Sequence, residues 1–133
     1  MSTLLTPKQT SELLGISLSA LTRWRNAGKV PAEKIGRNYL YDAIQLYAHC
    51  PEAREAIDEL VNITTRTEGG TPFWQAFPHW RRLEAAGLVE VIVPVHSPTG
   101  IAYGEQYWEI KRTEQGEEIA REIIGLREDG YFL

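Results

Sequence analysis

Residues 6–41 read TPKQTSELLGISLSALTRWRNAGKVPAEKIGRNYLY, and the order of capping residues and glycines along them decides the fold. Thr6 can accept from free helix amides, Pro7 suits the first helical position, and Gln9 completes a capping box. Gly15 stops this first helix. Apolar Leu13, Leu14 and Ile16 flank the stop, and Ser17 caps a second helix, Leu18 to Ala27, which Gly28 ends in turn. Two helices joined this tightly cross steeply. After Gly28, two short extended runs surround a Gly36-Arg37-Asn38 turn, and Asp42 caps a third helix through Ile44, Leu46 and Tyr47.

On the second helix Leu21 and Trp24 share an inward face, while Ser19, Thr22, Arg23 and Asn26 project elsewhere. The outward groups are mostly hydrogen-bond donors. Arg23 is suited to guanine or a phosphate and Asn26 to adenine; Ser19 and Thr22 serve either purpose more weakly. A solvated helix face has the same composition, but the capped partner helix and the following hairpin favour nucleic acid. In the hairpin, Lys34 and Arg37 are placed to reach a phosphate or a minor groove, whereas Tyr39 and Tyr41 are expected to pack it onto the helices.

The stretches Leu5 to Gln9, Glu12 to Ser17, Leu21 to Pro31 and Ile35 to Tyr41 resemble the winged helix-turn-helix superfamily shared by MerR-type regulators, phage excisionases and small terminase subunits. The resemblance covers roughly the first fifty residues. It implies that the second helix enters the major groove of double-stranded DNA and the wing touches backbone or minor groove. The implied DNA-binding residues are Ser19, Thr22, Arg23, Asn26 and Arg37. MerR-type regulators usually continue into a long dimerisation helix and an effector domain, often with metal-binding cysteines, and neither is evident in this sequence.

Residues 1–50 carry six Lys or Arg against three Asp or Glu, a balance of +3; the remainder carries eight against fifteen, or −7. The net charge of −4 therefore hides a basic first module. At 133 residues with 43% hydrophobic content, the chain suits one compact domain or two small ones sharing an interface. No apolar run approaches the roughly 20 residues needed to span a bilayer, and Met1 to Thr10 lacks the order of a secretory signal. A cytoplasmic protein without membrane association is expected.

One cysteine excludes an intrachain disulfide, and with three histidines it offers no zinc-type spacing, so neither metal nor cofactor is expected. Adjacent His49 and Cys50 would diverge by about 100° on a helix, which disfavours a catalytic pair. No phosphate loop or nucleophile elbow appears, and an enzyme is not expected.

From Pro51, residues Ala53, Ile57, Leu60, Val61 and Thr64 recur at helical spacing and predict a bridging helix to about Ile63. Paired Gly69 and Gly70 mark a boundary. The expected organisation is a module at 1–50, a bridging helix and linker at 51–70, and a second half at 71–133. That half is expected to begin with a helix from Thr71 and Pro72, divided at Pro78 and stopped by Gly87. A strand from Leu88 to Val95, a turn at Ser97 to Gly100, a returning strand from Ile101 to Lys111 and a helix capped by Thr113 follow. The order resembles the rear of a second winged helix, so the fold class is mainly α with two small β-hairpins (α+β), a winged helix-turn-helix followed by a winged-helix-like half.

Pro78 interrupts the second half's counterpart of a recognition helix, and only His79, Arg81 and Arg82 give it a positive edge. Its aromatics read as core, or as anchors for a homodimer or protein partner through residues 71–133. The functional expectation is a sequence-specific DNA-binding protein, a transcriptional regulator. Its rivals are an excisionase-like or small-terminase-like architectural DNA-binding protein and a protein-interaction adaptor that does not bind DNA.

Overall fold

The computed structural model describes residues 3–63, 77–92 and 109–131. Their order is β1 (Leu4–Leu5), α1 (Pro7–Leu14), α2 (Leu18–Asn26), β2 (Glu33–Ile35), β3 (Asn38–Asp42), α3 (Ala43–His49), α4 (Pro51–Asn62), α5 (Trp80–Ala85), β4 (Val89–Ile92), β5 (Glu109–Arg112) and α6 (Glu114–Glu128). Helices with two small antiparallel sheets make an α+β fold.

Local chemistry accounts for the helix boundaries. Thr6 Oγ1 accepts from the Gln9 amide at 3.1 Å, and Gln9 Oε1 accepts from the Thr6 amide at 3.1 Å, completing the capping box of α1. Gly15 then turns left-handed, at φ 70°. Ser17 caps α2 through the Ala20 amide, Asp42 caps α3 through the Ile44 amide, and Thr113 caps α6 through the Gly116 amide. The second helix closes one residue earlier than expected, with Ala27 at its C-cap.

The first sheet has strand order β1-β3-β2. Glu33 pairs with Leu40, Lys34 with Tyr39 and Ile35 with Asn38, so Asn38 opens β3 and only Gly36 and Arg37 form the turn. On the other edge of β3, Leu4 pairs with Asp42 and Leu5 with Tyr41. This third strand covers an edge the hairpin alone would leave open. In the second sheet β4 and β5 pair from Val89 with Arg112 to Ile92 with Glu109. The rest of the expected second hairpin, and the expected helix start at Thr71 and Pro72, lie outside the described residues.

One apolar cluster runs through both ends of the chain, including Leu5, Leu13, Leu21 and Leu46, then Ile57 and Leu60 of α4, then Leu83, Leu88, Ile119 and Ile123. Each of these side chains is buried. Helix α4 packs against α1, α3, α5 and α6, so its apolar stripe lies at the centre of the molecule.

Polar ties reinforce this shared core. Gln9 Nε2 donates to the Ala86 carbonyl and to Gln115 Oε1, both at 2.9 Å, while Gln115 Nε2 donates to the Leu4 carbonyl at 3.2 Å. Arg112 Nη1 donates to the Leu60 and Val61 carbonyls at 3.2 and 3.1 Å, satisfying the C-terminal end of α4. At Gly116 the backbones approach so closely that an added Cβ would stand 1.9 Å from the Leu88 carbonyl oxygen. Only glycine fits there.

Candidate nucleic-acid interface

Helix α2 is held by its inner side. Leu21 is 1% exposed, and partly buried Trp24 packs against the same core. The Lys29 ammonium lies 3.7 Å from the Trp24 ring centre, and the Arg25 guanidinium lies 3.7 Å from that of Tyr39. The second contact ties the end of α2 to the hairpin, at about 0.5–1 kcal/mol for an exposed cation–π pair. Tyr41 is fully buried, so both tyrosines anchor the hairpin as expected.

The outer side of α2 is exposed at Ser19, Thr22, Arg23 and Asn26, and Arg37 is exposed at the hairpin turn. Two of these five have local hydrogen bonds. Thr22 Oγ1 donates to the Leu18 carbonyl at 3.1 Å, and the Ser19 and Ser17 hydroxyls lie 3.2 Å apart. The side chains of Arg23, Asn26 and Arg37 have no hydrogen-bond or ion-pair partner among the described residues. Three donors therefore remain uncommitted.

Lys8 and Lys34 are also exposed without an acidic partner among the described residues. Lys34 sits within β2 rather than at the turn, 6.0 Å from the Tyr39 ring centre. Lys29, by contrast, pairs with Glu52 at 3.2 Å. Sequence reading left Leu18 out of the outward set, yet this first residue of α2 is 53% exposed. Its apolar character disguised it, because periodicity assigns leucines to cores.

The positive edge expected in the second half is turned to another use. Arg82 Nε donates to the Leu13 carbonyl at 2.9 Å and Nη2 to the Glu52 carbonyl at 2.8 Å, joining α5 to the end of α1 and the start of α4. Its guanidinium is therefore a strut between helices. His79 lies 2.6 Å from Glu59 Oε1 through Nδ1, its amide donates to Glu59 Oε2 at 2.9 Å, and the Arg81 guanidinium lies 5.2 Å from the Trp80 ring centre. None of the three matches the uncommitted state of Arg23.

Among the described residues, other chemistry is sparse. Cys50 is 1% exposed, and burial pushes its thiol pKa above the ordinary value, opposite to what a thiolate nucleophile requires. The cleft lined by Pro31, Ala32, Glu33, Asp42 and Gln45 measures about 50 Å³, and that beside Tyr47, His49, Cys50 and Arg54 about 120 Å³. Both fall below the roughly 300 Å³ at which ligand pockets begin. Among the described residues, no group of three or more His, Cys, Asp or Glu is arranged to hold a metal, and no helix is long and apolar enough to cross a membrane.

A family model described as a helix-turn-helix domain matches residues 4–46, spanning β1 through most of α3. No curated protein and no solved structure matches the chain. The matched segment contains the capped α1, the Gly15 turn, the donor-bearing α2 and the β2–β3 hairpin. Residues 4–46 are therefore a helix-turn-helix DNA-binding module.

Proposed function

We propose that the protein reads a specific duplex sequence and acts as a transcriptional regulator, without enzymatic activity. Helix α2 enters the major groove, where Arg23 and Asn26 contact base edges and Ser19 and Thr22 contribute weaker contacts. Arg37, at the tip of a wing, meets backbone phosphate or the adjoining minor groove. The carrying observation is that the side chains of Arg23, Asn26 and Arg37 are each exposed without partners among the described residues, within a matched helix-turn-helix segment. In a merely solvated face those groups would have no common task.

The acidic remainder is the assembly or partner-binding half in this reading, organised as a second winged-helix-like unit by α5, β4, β5 and α6. Its −7 balance disfavours close approach to a duplex and complements the +3 of the first fifty residues. Selection from random duplex DNA, followed by titration at two salt concentrations, tests the proposal. One enriched operator supports it. Clustered sites with regular spacing would instead indicate an architectural role of the excisionase or small-terminase kind, and absence of binding even at low salt would refute DNA reading.

A further inference from the structure

The first turn of α2 offers carbon where its later turns offer donors. Leu18 is 53% exposed, and Thr22, one turn further on, shares its side of the helix. The Thr22 hydroxyl commits its proton to the Leu18 carbonyl at 3.1 Å, so Thr22 keeps no donor for a ligand, only an acceptor oxygen and its methyl. The hydroxyls on either side of Leu18, those of Ser17 and Ser19, are 3.2 Å apart, and Ser17 also accepts from the Ala20 amide.

The sequence of α2, LSALTRWRN, contains no acidic residue, and Arg23 stands beside Thr22. A polyanion is therefore the complementary visitor. The apolar spot is far smaller than the several hundred Å² typical of protein-docking patches, and Ser19 and Asn26 border it. Among major-groove base edges, the group that pairs with carbon is the C5-methyl of thymine.

We infer that Leu18 and the Thr22 methyl form an apolar contact that reads one thymine methyl, an inference that rests on α2 being the reading helix. The donors Arg23 and Asn26 then identify neighbouring bases by hydrogen bonds, and Leu18 adds a position identified by shape. Burying one methyl group corresponds to about a three- to fivefold change in affinity.

The test uses the full chain and the duplex obtained by selection, resynthesised with uracil at each thymine in turn, which removes only the methyl. At one thymine the unsubstituted protein should lose about three- to fivefold in affinity. Leu18→Ala should lose a similar factor on the thymine duplex and cease to distinguish thymine from uracil, whereas Leu18→Met should keep the distinction. Thr22→Ser, which keeps the hydroxyl and removes the methyl, should reduce it. Should Leu18→Ala fail to fold by circular dichroism, the uracil series and Thr22→Ser decide the matter. Selective binding that tolerates uracil at every thymine, or a selected site with no fixed thymine, overturns the inference and leaves DNA reading intact. Absence of any selected duplex overturns both.

Discussion

Arg23 on α2 and Arg82 on α5 occupy the same place in a repeated order: a short helix, a left-handed glycine, paired strands and a capped helix. Gly28 follows one helix and Gly87 the other, while Asp42 and Thr113 cap the helices after the strands. The two arginines have opposite surroundings. Arg23 meets no partner among the described residues, whereas Arg82 holds two backbone carbonyls on different helices. Similar local order thus leaves one cation exposed at the surface and commits the other to internal cohesion. On the proposed function, availability rather than charge distinguishes a reading surface from a strut.

The comparison is best tested by substitutions that separate stability from binding. Gly116→Ala should have the largest effect, because its Cβ would meet the Leu88 backbone; destabilisation above about 3 kcal/mol is expected in urea unfolding. Arg82→Met leaves the Leu13 and Glu52 carbonyls without this donor and should destabilise by about 2–3 kcal/mol. If Arg82→Met instead weakened DNA binding at unchanged stability, the contrast with Arg23 would collapse.

Arg23→Ala should do the reverse, with stability preserved within about 0.5 kcal/mol and specific binding weakened by about 2 kcal/mol. A binding titration beside an unfolding curve checks both halves of that expectation. Arg37→Ala should have the smallest effect, about 1 kcal/mol across all sequences, with the salt-dependence slope reduced by roughly 0.9. A loss confined to one sequence would make Arg37 a base reader instead.

Much of the fold was legible because its signals are local. Thr6, Ser17, Asp42 and Thr113 cap helices through amides two or three residues away, and Gly15, Gly28 and Gly87 adopt the left-handed backbone expected of stops. The outward placement of Ser19, Thr22, Arg23 and Asn26 followed from the positions of Leu21 and Trp24. Contacts between distant residues were not legible. Arg82 reaches Leu13 across 69 positions and Arg112 reaches Leu60 across 52, and no periodicity encodes such meetings. The extra strand at Leu4 and Leu5 was missed because two residues are too few to show alternation.

The capping residue Gln9 has a consequence for moving this helix-turn-helix module into another protein. Its side chain closes the first turn of α1 and also bonds Ala86 and Gln115. A fragment cut near residue 50 would forfeit those bonds and present to water the apolar side chains that pack on α4, α5 and α6. If the proposed function holds, specificity is therefore better transplanted by rewriting the outer residues of α2 within the whole chain than by grafting the segment. The module is portable as text but anchored as matter.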